Sequence, residues 1–240
     1  MEATDHDRVA SAFHDSTLPI DDEHRKIMKR VLAGPAKVDY YMSAKPKVTA
    51  NFSSSGRGES APLNNSSGFK EKPVRIREAT PDDAGAVIAL LERLYAETSF
   101  LLYEPGEMKS NVEVYARRMA EGIEKGNWTM FIADCDGSLV GTLFGSRGNA
   151  KRTYHSLTVG IGVLRANWGQ GIGRSLLGAA ESWAKARGVH RLELTVRTTN
   201  HRAMALYERV GFEWEGVKRH SQLVENEYVN EFLMSKLIAV

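Results

Sequence analysis

Glycine recurs at alternate positions in Trp168-Gly169-Gln170-Gly171-Ile172-Gly173-Arg174-Ser175. An apolar run from Leu157 to Leu164 precedes this stretch. A pattern that sets Leu176, Leu177, Ala180, Trp183 and Ala184 on one helical face follows it. A strand, a glycine turn and a helix start, in that order, can hold a phosphate. Glycine lets the backbone come close to an anion. The first-turn N–H groups have no helical acceptor, and the helix dipole adds positive potential. The spacing is neither the dinucleotide fingerprint nor a Walker loop, which needs Gly-Lys-Ser or Gly-Lys-Thr. Taken alone, such a triplet is more often a packing loop than an anion site.

A second segment shifts the balance: Asn200-His201-Arg202-Ala203-Met204-Ala205-Leu206-Tyr207-Glu208-Arg209-Val210-Gly211-Phe212. The two segments together resemble the GNAT superfamily of acyl-CoA-dependent N-acetyltransferases. That family carries Arg/Gln-x-x-Gly-x-Gly/Ala at a strand-to-helix turn and, downstream, Asn-x-x-Ala-x-x-Leu-Tyr-x-x-x-Gly-Phe. Gly171 and Gly173 fill the two glycine positions. Asn200, Ala203, Leu206, Tyr207, Gly211 and Phe212 match the second element position by position. Trp168 stands where the family has Arg or Gln, so one pyrophosphate contact is not expected from that side chain. The resemblance runs from about Val74 to Leu237.

The resemblance implies acetyl-CoA as co-substrate. Its pantetheine is expected along the strand Ile161-Gly162-Val163, pairing with an exposed edge as an added strand would. Gly160 and Gly162 are expected to leave room beside it. The pyrophosphate is expected over Trp168, Gly169, Gln170, Gly171, Ile172, Gly173, Arg174 and Ser175. Arg165 reads as a solvated surface charge. Tyr207 matches the family tyrosine that protonates the leaving thiolate, and a phenol stays protonated where a thiol does not. Asn200 reads as the cap of its helix, within reach of cofactor or substrate.

An acceptor amine arrives mostly as ammonium, since an alkylamine pKa is roughly 10. It must lose a proton before attack, so a carboxylate is expected nearby. Glu107 and Glu104, in the loop that lines the acceptor pocket of the family, rank above Glu193 on the strand beside the cofactor strand. For each one alone, a salt-bridging surface acid is the commoner role. The expected reaction is acetyl transfer to a primary amine of a small molecule, such as an amino acid or polyamine. The alternatives are a protein or peptide acceptor, or a weakly catalytic CoA-binding module with a partner-recruiting tail.

Composition fits an enzyme of this kind. The 240 residues carry 32 Lys and Arg against 30 Asp and Glu, so no nucleic-acid-binding field is expected. Cys135 is the single cysteine, which excludes an intrachain disulfide and suits a cytoplasmic setting. No signal-like or long apolar run points to export or a membrane. The histidines show no metal-ligand spacing, so no metal is expected. A homodimer is compatible with the sequence.

The chain divides near residue 72. Residues 1–72 read as an extension, largely disordered because Ser, Gly, Asn and Pro dominate its second half. A short helix is expected over residues 21–33, with acids first, bases last and Gly-Pro as the stop. Residues 73–240 read as the N-acetyltransferase domain. Its element order is β-α-α-β-β-β-α-β-α-β-β, which the resemblance implies is an α/β (α+β) fold. The expected architecture is a mixed, mostly antiparallel sheet with helices on both faces.

Overall fold

Thr80-Pro81-Asp82-Asp83 starts the first helix as its residue types dictate. The Asp83 carboxylate accepts the Thr80 N–H at 2.8 Å and is gripped by both terminal nitrogens of Arg77 at 2.7 Å. Residues 74–239 are described by the structure, a computed structural model. The chain divides into two units, Met1–Ser60 and Ala61–Val240, and all described residues belong to the second. The extension and the helix expected over 21–33 lie outside the described residues.

Among the described residues, four α-helices and seven strands follow the expected order. The strands are β1 (Arg75–Glu78), β2 (Trp128–Cys135), β3 (Ser138–Arg147), β4 (Ser156–Val163), β5 (Arg191–Arg197), β6 (Glu213–Val224) and β7 (Glu227–Leu237). The helices are α1 (Ala84–Glu97), α2 (Val112–Glu124), α3 (Ile172–Lys185) and α4 (His201–Arg209). They form one sheet ordered β1-β2-β3-β4-β5-β7-β6, antiparallel except between β4 and β5. The two-residue turns Asp136-Gly137 and Glu225-Asn226 both take positive φ throughout, which matches the right-handed twist of the strands they join.

Alternation along β4 shows which helices cover which face. A Cβ on Gly162 would lie 2.9 Å from Leu94 of α1, whereas the Ile161 side chain reaches toward Gly173 of α3. So α1 lies over one face of the sheet and α3 over the other. Leu90, Leu94, Leu143, Leu157, Leu176 and Leu192 are almost fully buried between these layers. Each such side chain contributes roughly 1.5–3 kcal/mol of transfer free energy.

Candidate active site

β4 and β5 pair over only three rows: Ser156 with Arg191, Leu157 with Leu192, and Thr158 with Glu193. Beyond Thr158 the strands part, although β4 stays paired to β3 as far as Val163. This opens a wedge in the middle of the sheet. The Leu164 N–H donates to Val140 O at 2.9 Å on the β3 side. By alternation, the backbone groups of Val159, Ile161 and Val163 face the wedge. Ile161 presents both its N–H and its C=O there and Val163 its N–H, an open strand edge inside a sheet that an extended amide chain can complete.

The wedge ends at the glycine turn. The Trp168 indole N–H donates to Val163 O at 2.7 Å and ties this turn to the end of β4. The Arg202 guanidinium lies 4.6 Å from the Trp168 ring and that of Arg165 5.6 Å. Trp168 therefore replaces the expected Arg or Gln by a strut that gathers two cations at the turn. Arg165 also holds Glu97: its backbone N–H donates to the Glu97 carboxylate at 2.7 Å and its Nη2 to Glu97 O at 2.9 Å. Each of these bonds uses a backbone group of one partner, and Arg165 is exposed, which agrees with its reading as a surface charge.

The N-terminus of α3 differs from those of α2 and α4. Asn111 caps α2, accepting from Glu113 N–H at 2.8 Å, and Asn200 caps α4, accepting from Ala203 N–H at 3.2 Å. Gly171 stands at the cap of α3 with φ 79°, has no side chain to offer, and is followed by no acid in the first turn. The first N–H of the turn to reach a helical acceptor is that of Ser175, on Gly171 O. The N–H groups before it are open to an anion. Gly169 (φ 82°) and Gly171 thus supply the backbone conformation.

Three other glycines meet side chains from distant segments. Gly160 and Gly162 leave no room beside the wedge. A Cβ on Gly160 would strike Phe144 at 2.2 Å, and one on Gly162 would meet Leu94 at 2.9 Å. Their missing side chains make space for residues of β3 and α1 on the sheet face, because the wedge lies in the plane of the strand and a Cβ points out of it. Gly173 faces Leu206 of α4 at 2.9 Å, so it permits helix–helix contact.

That contact sets α4 against the start of α3. Tyr207 is 6% exposed and its ring packs on Phe212 at 5.8 Å. Burial pushes its phenol above the ordinary tyrosine value, so it is protonated throughout the physiological range. Ser156 Oγ is the one fully buried side-chain polar atom without a partner among the described residues.

The expected acids are dispersed. Glu107 and Glu104 are exposed in the loop after α1, where the Glu107 carboxylate accepts the Glu104 N–H at 2.8 Å. No contact among the described residues ties either to Tyr207 or β4. Glu193 accepts from Arg191 Nε at 2.9 Å and from Thr158 Oγ1 at 3.1 Å. Burial raises its pKa, but these hydrogen bonds outweigh that and hold it below the usual carboxylate range. It is a committed structural anion at the closed end of the wedge.

The structure adds a cluster that the sequence reading did not single out. Buried Arg197 ends β5, and its Nε donates to Gln222 Oε1 of β6 at 2.8 Å. The Gln222 amide donates onward to Glu231 of β7 at 3.2 Å, and Glu231 accepts from Thr195 Oγ1 at 2.8 Å. Polar residues at alternate positions 191, 193, 195 and 197 were the available signal.

With this geometry in place, the likeness to known proteins can be stated. The model of the Acetyltransferase (GNAT) family matches residues 91–212. The chain belongs to the GNAT acetyltransferase family. The L-amino acid N-acetyltransferase AaaT of Escherichia coli K12 is 30% identical over 110 residues, 44% of this chain and 66% of that protein. The chain thus spans just under two thirds of that relative. A GNAT-family acetyltransferase structure from Streptococcus pneumoniae is 31% identical, with a TM-score of 0.67 over 69% of this chain and 100% of that one. The phosphinothricin acetyltransferase of Sinorhizobium meliloti, solved with AcCoA, shares the fold at 18% identity and a TM-score of 0.61, over 69% of this chain and 88% of that one.

The family match begins inside α1 and ends at Phe212, so it includes the wedge, the glycine turn and α4. It stops before β6 and β7, which carry Gln222 and Glu231. Among the described residues, no group of His, Cys, Asp or Glu is arranged to hold a metal, and no helix is long and apolar enough to cross a membrane.

Proposed function

We propose that the protein transfers an acetyl group from acetyl-CoA to a primary amine of a small molecule, by direct attack in a ternary complex. The observation that carries this reading is the uncapped, acid-free start of α3 at the end of an unpaired strand edge. Acetyl-CoA bound there supplies an activated acetyl thioester. The N–H groups from Gly169 to Arg174 would hold its pyrophosphate, with Arg174 and Arg202 adding charge and Asn200 and Ser175 nearby. The backbones of Ile161 and Val163 would hold the amide chain. A wedge-facing N–H of β4 would polarise the thioester carbonyl as a preorganised donor.

Tyr207 serves as general acid, giving its proton to the departing sulfur. Its raised pKa keeps that proton available. Glu107 and Glu104 attract the cationic amine to the mouth of the wedge, and deprotonation proceeds through them or through water. Residues 73–240 are the catalytic unit, and a cytoplasmic setting fits the single free thiol of Cys135. The amino-acid-acetylating relative supports a small-molecule acceptor.

The test is release of free thiol from acetyl-CoA by the purified chain, against amino acids, polyamines and peptides. Acetylation of a small amine is expected. Turnover with peptides alone would move the acceptor to proteins, and no turnover with any amine would leave only a CoA-binding module.

A further inference from the structure

The two faces of the wedge are built differently. α3 and α4 meet on one face, through Gly173 and Leu206, and bring the glycine turn and Tyr207 there. The other face carries Thr158, Gly160 and Gly162 on β4, and Glu193, Thr195 and Arg197 on β5, by alternation from the Thr158–Glu193 pair. Arg197 lies four residues beyond that last pair, so it lines the open part of the wedge. Phe100, from the loop after α1, covers it with its ring 5.7 Å from the guanidinium carbon. A nucleophile that must attack a carbonyl held from the α3–α4 face reaches it from the Arg197 face.

Arg197 is 8% exposed, and the one hydrogen bond of its side chain among the described residues is from Nε to Gln222. Both terminal nitrogens are left over. No carboxylate of the described residues comes within ion-pair distance, whereas Arg77 and Arg191 each grip carboxylates directly. Burial lowers the Arg197 pKa, and the more distant Glu231 only partly restores it. The side chain is nonetheless held firmly. Gln222 accepts from it and donates to Glu231, which Thr195 also holds. The result is a fixed, desolvated cation with one edge of its planar fork free. That edge matches a carboxylate in two parallel hydrogen bonds.

We infer that Arg197 binds a carboxylate carried by the acceptor itself, so that the preferred acceptors are amino acids and not simple amines or polyamines. This rests on the acetyltransferase reading above and narrows its acceptor. Gln222 and Glu231 are positioning residues: they set the fork and touch no substrate.

The test compares L-amino acids with their carboxamides, acetyl-CoA being the donor, in the wild-type chain and in Arg197→Gln and Arg197→Lys. The carboxamide amine is the less basic of each pair, so any preference for the acid reflects binding. A preference of at least tenfold in kcat/KM is expected in the wild type. In Arg197→Gln it should fall toward unity, mainly through a raised KM for the acid, with Arg197→Lys between the two. Binding gives a second readout: with CoA present, the acid but not the amide should raise the melting temperature of the wild type. Equal use of acids, amides and polyamines by the wild type would overturn the inference and leave the acetyltransferase reading standing. Failure to acetylate any amine would remove both.

Discussion

On the proposed reading, the two sides of the wedge recognise their ligands by opposite means. On the donor side the groups offered are backbone: the N–H row from Gly169 to Arg174 and the edge of β4. Side chains there mostly stay out of the way, as Gly171 does by leaving its helix uncapped. On the acceptor side the groups are side chains, Arg197, Gln222, Glu231 and Thr195, drawn from three strands. A ligand shared by a whole family can be held by backbone geometry, because the fold alone dictates it. A ligand particular to one member needs side chains, which change without disturbing the fold.

The largest expected effect is at the point where the sides meet. Tyr207→Phe keeps the ring and its contact with Phe212 and removes only the hydroxyl. A lost general acid lowers the rate on the order of a hundredfold. The loss should appear in kcat and kcat/KM together, with the KM for acetyl-CoA unchanged and stability altered by no more than about 1 kcal/mol. A Phe variant with full kcat in steady-state assays would make Tyr207 a packing residue and leave the donor side with no chemical group of its own.

Gly173→Val sharpens the account of the donor side. Its Cβ would press on Leu206 at 2.9 Å, so the expected loss is stability, roughly 1–3 kcal/mol in a denaturation curve. Adding Leu206→Ala should recover part of it. Loss of acetyl-CoA affinity at full stability, without that recovery, would return Gly173 to the role of admitting the phosphate.

The smallest effect lies away from both sides. Bonding to Arg77 outweighs burial and holds Asp83 at about 2, below the ordinary 3.8. A depressed carboxylate stabilises the fold above its ordinary pKa, and the benefit disappears as pH falls from about 4 toward 2. Asp83→Asn should therefore lower stability at neutral pH by roughly 1–2 kcal/mol, a figure reduced for solvent screening at Arg77. It should also flatten the pH dependence of urea unfolding in that window and leave acetyl-CoA binding as it was. A variant with the wild-type pH profile would show that the Arg77 pair contributes nothing to folding.

The same asymmetry explains what the sequence revealed. The donor side was legible because its parts are contiguous: an apolar strand, a glycine turn, an amphipathic helix and Asn200 capping the next one. The full element order was legible for a similar reason, since Asp136-Gly137, Thr80-Pro81 and the apolar periodicities are local signals. The wedge was not, because strand pairing that stops after Thr158 is a relation between two strands. The close neighbours of Gly160, Gly162 and Gly173 were not legible either, since Phe144, Leu94 and Leu206 come from distant segments. The setting of Arg197 was not legible, because its partners Gln222 and Glu231 lie 25 and 34 residues further on. Only the sheet brings them together.

The central claim is that backbone at the start of α3 binds the donor. Calorimetric titration of acetyl-CoA into the wild type, Gly171→Val and Gly188→Val tests it most directly. Gly171 (φ 79°) and Gly188 (φ 65°) are both left-handed, and neither has a heavy atom within 4 Å of a built Cβ. The two substitutions therefore impose similar backbone strain, one at the turn and one beyond the far end of α3. The account predicts that the wild type binds acetyl-CoA, that Gly188→Val binds it equally well, and that Gly171→Val binds at least roughly tenfold more weakly, since the N–H row is displaced. Equal affinity in all three folded proteins would contradict it.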